Sequence, residues 1–533
     1  MKLAGIGCAI FFVITAWTLQ AQTLLTPAGR TITIEGSRIT QANFPNRGEF
    51  LLFRPDVDYA GLRNAPVSKA DDPLSKKIQT WFDEGTAAGN VGDLYENRDG
   101  GHSRLNLKKF GQFAQLVYGE ELKKLGADFG VKIKIVNERP TLVNASLAML
   151  GKPFARSMAR LIMHNPELSP ELYSMYRIAN ICFYPEHADH DKRNGDLFAV
   201  NTPYLIISQG SSGSDIPFME ATAQTLASFQ PSVKELLHQH GLLAPTVQMI
   251  MRWSNDGIGN ADNYLTGKAH PTVFDATKLR PDAMAEMAHA MKPDHLPPLA
   301  LIRMTQETQA VSGVDYFDSD VGEILMETPC AIGRVARNLS HSRTFRVSAA
   351  DSFDVRHLPL NYHWKVLRGD ESKINIHLLN GAGNEAEITV DYQPETLSHG
   401  DPQLRSHRVD IGVFVDNGVY YSAPAFISIW YPPNEKREYD DDGHLEKVTY
   451  LSAKKVGVSA DVVLLFDKPW SDIYSYDDDK ISGWVRQFDN GDTASFNAKG
   501  KQIETGWFSS DKPTAVKYVI TPTNEGYRKI DFE

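Results

Sequence analysis

The densest run of metal- and proton-handling side chains is Tyr184-Pro-Glu-His-Ala-Asp-His-Asp191, which puts His187, Asp189, His190 and Asp191 next to one another. Imidazoles and carboxylates this close can share one divalent metal and leave a position open for water. A zinc-bound water is acidic enough near neutral pH to attack esters or glycosides. A solvated loop rich in His and Asp has the same composition, and Lys192-Arg-Asn-Gly195 directly after it has loop chemistry. Successive residues of a strand face opposite sides, so only a tight turn between Pro185 and Gly195 gathers the four onto one ion.

The second cluster is Ile207-Ser-Gln-Gly-Ser-Ser-Gly-Ser-Asp215. Small residues between a strand and a helix let backbone amides converge at the helix's positive end, making an anion or oxyanion site. Gly210, Ser211, Gly213, Ser214 and Asp215 are the expected ligand residues, and Ser212 the expected nucleophile. Ser214 or Asp215 can equally serve as a helix N-cap, so a cap alone and a cap plus ligand loop both stand. Two polar segments can face this loop. Tyr95-Glu-Asn-Arg-Asp-Gly-Gly-His-Ser103 offers Glu96 or Asp99 as carboxylate, His102 as general base and Arg98 as positive group. Gly267-Lys-Ala-His-Pro271 offers His270 as base and Lys268 as cation. A single His in a loop is also an ordinary surface group; the argument is collective, since all three loops lie at predicted element ends, where α/β sites are built.

The elements that must hold these loops change character along the chain. From about residue 75, helical periods alternate with short apolar strands. Leu107, Phe110, Phe113, Val117 and Leu125 recur at helical spacing, followed by a strand over Val131–Val136. Tyr204–Ser208 reads as a strand, Pro217–Phe229 as the helix after it, and further helices fall near Ser232–His240, Thr246–Trp253 and Arg280–Met291, with another strand over Pro298–Met304. Strand, loop, helix, strand implies an α/β domain with some parallel sheet, assigned to 75–340 after a β-rich extension over 22–74. From 341 onward nearly everything alternates with period two. Lys2 and the apolar run to Leu19 before Gln20-Ala21-Gln22 read as a signal peptide over 1–21, too short for a membrane anchor. Cys182 and Cys330 then remain, either as a disulfide in an oxidising compartment or as two buried thiols.

Two modules of the second half resemble known families. Phe345-Arg-Val-Ser-Ala-Ala-Asp-Ser-Phe-Asp354, Leu358-Pro-Leu-Asn-Tyr-His-Trp364, Val409-Asp-Ile-Gly-Val-Phe-Val-Asp416 and Ala423-Pro-Ala-Phe-Ile-Ser-Ile429 resemble a polycystic-kidney-disease-type (PKD) immunoglobulin-like domain over 341–433. That resemblance implies a two-sheet sandwich with Trp364 as its core plug, used as a spacer or binding platform. In 434–533, Tyr439-Asp-Asp-Asp-Gly-His-Leu, Tyr476-Asp-Asp-Asp-Lys-Ile and Phe496-Asn-Ala-Lys-Gly-Lys-Gln-Ile resemble tyrosine-aspartate hairpin repeats of bacterial surface proteins. Their Asp triplets suit calcium or plain solvated turns. Locally the Ser-rich loop is similar to the sugar-phosphate loop of sugar isomerase domains and to a Gly-x-Ser-x-Gly nucleophile elbow in which Ser214 replaces the last Gly. As a whole the chain resembles a group of exported bacterial proteins of unassigned activity that join such domains, marked by Tyr-x-Asn-Arg-Asp-x-Gly-His-Ser and Trp-x-Val-Leu-Arg-Gly-Asp.

A net charge of −11 in 533 residues disfavours a nucleic-acid partner, because no extended basic face neutralises phosphates. The sequence thus predicts a secreted or periplasmic multidomain protein, on the cell surface in one version, with no span after signal cleavage. An N-terminal α/β domain is followed by an all-β PKD-like sandwich and a C-terminal β-hairpin repeat region. The expected function is a hydrolase acting on ester or glycosidic bonds of an extracellular polymer such as polysaccharide, using one divalent metal in the version that needs one. The alternative is a non-catalytic glycan-binding protein.

Overall fold

A computed structural model of the chain describes residues 31–44, 48–55, 67, 71–89, 92–130, 135–145, 148–150, 155–157, 169–186, 190–191, 195–196, 198–210, 212–317, 322–398, 401–452, 464–466, 468–503, 513–516, 518–522 and 528–532. The expected signal peptide lies outside them. Among the described residues no helix is long and apolar enough to cross a membrane.

The first half is built on six parallel strands: β1 (Thr31–Ile34), β2 (Asp93–Asn97), β3 (Phe113–Tyr118), β4 (Thr141–Asn144), β5 (Asn180–Glu186) and β6 (Leu205–Gln209). Their order across the sheet is β1-β3-β2-β4-β5-β6. β2, β4 and β6 are almost wholly buried, as expected for strands covered on both faces. Helices α1 (Pro73–Ala87), α2 (Ser169–Arg177), α3 (Ile216–Ser228), α4 (Pro231–Gln239), α5 (Leu243–Ser254) and α6 (Pro281–Ala290) accompany the sheet. The last four match the predicted helices to within a few residues. The helical reading of 107–125 does not hold: Phe113–Tyr118 is a strand between β1 and β2. Its Phe, Leu, Val and Tyr are enriched in strands, and a short buried strand satisfies the same apolar spacing as a helix. The strand expected over 131–136 is described only as Ile135–Asn137, which pairs with Gly48–Phe53.

The second half is sheet-rich. Strands β7 (Arg303–Glu307), β8 (Ile324–Thr328), β9 (Ala331–Val335), β10 (Ser342–Ser348), β11 (Asn361–Arg368), β12 (Ile374–Leu378), β13 (Glu385–Asp391), β14 (Arg408–Asp416) and β15 (Ala425–Trp430) form two sheets, β7-β10-β13-β12 and β8-β9-β15-β14-β11. Their inner faces share one core, in which Phe345, Ile388, Ile411 and Ile427 are buried. Trp364 is buried there too, with its indole N–H donating to Gly383 O at 2.9 Å. Strands β7 to β9 precede residue 341 yet belong to these two sheets. The strand expected over 298–304 does not form there: the strand begins at Arg303 as β7, antiparallel to β10 and no part of the parallel sheet.

Beyond them lies a seven-stranded sheet from Glu435–Tyr439 to Thr514–Ala515. Its turns after Tyr439, Tyr476 and Phe496 are the three aromatic-led turns read from the sequence.

The two halves meet through a polar weld. Arg408 and Asp410 on β14 form a buried pair, Nε to Oδ1 2.7 Å. Asp410 also accepts from Ser428 Oγ at 2.7 Å and from Asn201 Nδ2 at 3.4 Å, while Arg408 donates to Phe198 O and Thr272 Oγ1. Cys182 and Cys330 are buried thiols and form no disulfide; burial pushes the Cys330 thiol up to about 12.

Candidate functional site

The chain leaves β2 toward β3 and leaves β4 toward β5, so the strand order reverses between β2 and β4. In open parallel sheets the crevice beyond the carboxyl ends at such a reversal is where ligands bind. Three polar elements meet there.

The first is the loop 97–105. Residues alternate sides along β2, so Glu96 and Arg98 share one side and Tyr95 and Asn97 the other. Arg98 is fully buried and pairs with Glu96, Nε to Oε1 2.7 Å and Nη2 to Oε2 3.0 Å, and it donates to Ile135 O at 2.9 Å. Glu96 also accepts the Tyr118 hydroxyl and, at 3.2 Å, Asn137 Nδ2. Arg98 is thus a core ion pair, and the reading of it as a ligand cation is corrected: every charge on that side is already answered inside the protein. On the other side Asn97 shapes the loop. Its Oδ1 accepts the amides of Asp99 at 3.0 Å and Gly101 at 3.3 Å, and its Nδ2 donates to His102 O at 2.8 Å. Asp99 is buried, and His102 presents its side chain to solvent.

The second element is Asn144 at the end of β4, fully buried, whose Nδ2 donates to Ser103 O at 2.9 Å and His102 O at 3.3 Å. The third is the Ser-rich loop. Ser208 and Ser214 share a hydroxyl hydrogen bond of 2.9 Å. That closure requires glycine at 210: φ is +131°, and a Cβ there would stand 2.9 Å from Ser214 Cβ. Ser212 is exposed, Gly213 half-buried and Asp215 fully buried; Ser211 lies outside the described residues. The side chain of Asp215, the N-cap residue of α3, accepts no first-turn amide, so the cap reading of Asp215 is corrected.

A hydrogen bond joins the two loops. Ser103 Oγ accepts the Gly213 amide proton at 2.7 Å. The 97–105 loop reaches Gly213 across the ends of β4 and β5, a span of about 14 Å at three strand spacings. Asp215 lies near Tyr95, whose hydroxyl, pushed up by burial and further by that carboxylate, accepts Asn97 Nδ2 at 3.2 Å and the Leu105 amide at 3.0 Å.

The remaining predicted residues lie elsewhere. His270 is fully buried where the halves meet. Its ring packs against Tyr264 and Phe414, each 4.9 Å between centroids, and Nε2–H donates to Tyr264 O. Burial, then the nearby Arg252 cation, hold it well below the usual imidazole range. Among the described residues none of its ring or hydrogen-bond partners belongs to the Ser-rich loop, so the general-base reading of His270 toward Ser212 is corrected. The motif's Gly267 explains why: a Cβ there would be 1.9 Å from Leu367 O, so this turn is pressed against β11. Lys268 is exposed, with Nζ 3.5 Å from Gly257 O.

Of the His/Asp cluster, His187 and Asp189 lie outside the described residues. The backbone of His190 and Asp191 pairs with Asp196 and Gly195 in a small hairpin. Among the described residues the group close enough to share an ion is Asp440, Asp442 and His444, in the first of the Asp-rich turns. There His444 Nδ1 is 3.0 Å from Asp440 Oδ2, and Asp440 Oδ1 accepts the amides of Asp442 and His444. These bonds tie the turn together through the Asp440 carboxylate.

Sequence reasoning missed Asn144 as a functional residue. Its signal was an Asn ending the otherwise apolar Leu142-Val143 run. No protein-family model matches the chain, and no curated protein is significantly similar to it.

Proposed function

We propose that the protein is an exported, carbohydrate-recognising protein whose ligand site is the carboxyl edge of the parallel sheet, between the 97–105 loop and the 208–215 loop. The observation that carries this reading is the Ser103–Gly213 hydrogen bond, which makes two polar loops one wall at the strand-order reversal. Hydroxyls, side-chain amides and helix-end N–H groups suit a polyhydroxylated ligand, and the first turn of α3, whose N-cap side chain accepts none of its amides, suits an electronegative oxygen. Export rests on the apolar N-terminal segment. The 341–433 region as a PKD-like spacer and the 434–533 hairpins as surface-protein repeats rest on the motifs quoted above.

Hydrolysis of a glycosidic or ester bond at this edge is the second reading. It is favoured by two buried carboxylates, Asp99 and Asp215, one on each loop, with His102 at the rim. In this reading Ser212 works without His270. The test is a glycan array and a hydrolysis panel of polysaccharides and acyl esters, run on the mature protein and on Ser103→Ala, Asp99→Asn and Ser212→Ala. Loss of glycan binding in Ser103→Ala supports the site, and turnover lost in Asp99→Asn with binding retained supports the hydrolase. Binding and turnover unchanged in all three variants remove both readings.

A further inference from the structure

A second cleft, of about 460 Å³, opens between the end of α5, the following loop and α6. Trp253, Asn255, Asp256, Arg280 and Glu286 line it. Trp253 is half-buried and held from behind by Tyr264, with ring centroids 5.0 Å apart, and Tyr421, 6.0 Å apart and nearly parallel. An indole braced in this way is a fixed apolar platform at little cost in side-chain entropy. The loop beside it is pinned by its own backbone, Gly259 N to Trp253 O 3.1 Å and Asp256 N to Lys278 O 2.8 Å. Nothing lies within 4 Å of where a Cβ on Gly259 would be, so that side is open.

The charges select the ligand class. Arg280 is held by Asp282 through two bonds, Nε to Oδ1 3.2 Å and Nη2 to Oδ2 2.9 Å, with Asp256 3.9 Å away. Glu286 is paired with Lys77 at 3.0 Å. Lys268 adds a third cation, its Nζ 3.5 Å from O of the lining Gly257, so a charged ligand meets three cations and three anions that are already balanced. A neutral ring with an apolar C–H face and vicinal hydroxyls meets an indole, planar carboxylates that accept and a planar guanidinium that donates. We propose that this cleft is a subsite for a neutral sugar unit of an oligosaccharide, stacked on Trp253 and hydrogen-bonded by Asp256, Glu286 and Arg280. It is separate from the sheet-edge site and does not depend on it.

The test is titration of the full mature chain with short neutral oligosaccharides, followed by tryptophan fluorescence and calorimetry, in the wild type, Trp253→Ala, Asp256→Ala and Ser103→Ala. The expected result is a saturable transition weakened at least tenfold in Trp253→Ala and Asp256→Ala and distinct from the sheet-edge transition that Ser103→Ala removes. Trp253 also packs against the second half, so the exposed Asp256 supplies the variant whose melting temperature should not move. No neutral oligosaccharide bound at millimolar concentration, or binding unchanged in Asp256→Ala, would overturn the proposal. Binding lost only in Ser103→Ala would assign the sugar to the sheet edge instead.

Discussion

The hydroxyl of Ser103 and the amide of Gly213 are 2.7 Å apart although their loops leave strands that are three places apart in the sheet. Ser103 sits at φ +46°, a left-handed conformation uncommon for a residue with a side chain. Ser103→Ala should cost about 1 kcal/mol of stability through the lost hydrogen bond. Ser103→Gly removes the same bond but relieves the backbone, so its melting temperature should lie above that of the Ala variant while both lose the ligand. A Gly variant no more stable than the Ala variant would show that the conformation carries no strain.

The Glu96–Arg98 pair has no access to water. Arg98→Met leaves a buried carboxylate without its cation, a cost of about 3–5 kcal/mol. A denaturation midpoint lowered on that scale is expected. A near-neutral effect would mean that the pair is open to solvent and available to a ligand after all.

His270 is held neutral by burial, so its folded pKa lies below the unfolded value. The unfolded chain then takes a proton that the folded chain refuses, and acid favours unfolding. Stability contributed by His270 is complete above about pH 6.5 and is lost as pH falls through the lower folded value. His238 and His407 are depressed in the same direction, so melting temperatures against pH must be compared between the wild type and His270→Gln. A shallower acid decline in the variant is expected; superimposable curves would exclude His270 as the sensor.

His444 has the opposite sign. Its bond to Asp440, with Asp479 3.4 Å from the other nitrogen, raises its pKa. Its contribution is present below about pH 6.5 and fades as pH rises through the folded value. An imidazole titration followed by NMR should lie above that of an isolated histidine and move down in Asp440→Asn.

Both cysteines should resist thiol reagents in the native protein and react together on unfolding, because Cys182 and Cys330 are each about 1% exposed. A blocked pair that reacts only after reduction would indicate a disulfide.

The strand Leu205–Gln209, the helices Ile216–Ser228, Pro231–Gln239, Leu243–Ser254 and Pro281–Ala290 and the Ser-rich loop are legible because each announces itself over a few neighbouring residues, whereas the helices Pro73–Ala87 and Ser169–Arg177 and the strands Thr31–Ile34, Asp93–Asn97, Thr141–Asn144 and Asn180–Glu186 are not. The helix Ile216–Ser228 follows its strand with Pro at an early position, as read. Phe113–Tyr118 was not legible, since its spacing fits either a buried strand or a helix and only the partners on both sides decide. The loop chemistry of 95–103 was read correctly as polar, but the division of labour within it was not. Whether Arg98 faces a ligand or Glu96 depends on which side of β2 is covered, and Tyr118 and Asn137 cover it from other strands. The Gly267–Pro271 motif failed for a similar reason: its glycine answers to Leu367, a hundred residues on, and no local pattern encodes that contact.

The weld between the halves also sets an order of events in synthesis. Asn201 and its partner Asp410 are 209 positions apart, and at about 5–20 residues per second the second follows the first by roughly 10–40 s. For that interval the parallel sheet exists without the strand that Phe198, Asn201 and Thr272 will grip, so those groups stay hydrated and the surface around His270 stays bare. A nascent chain in this state keeps its first half loosely packed until the later strands arrive, so the native first half is a product of the whole chain.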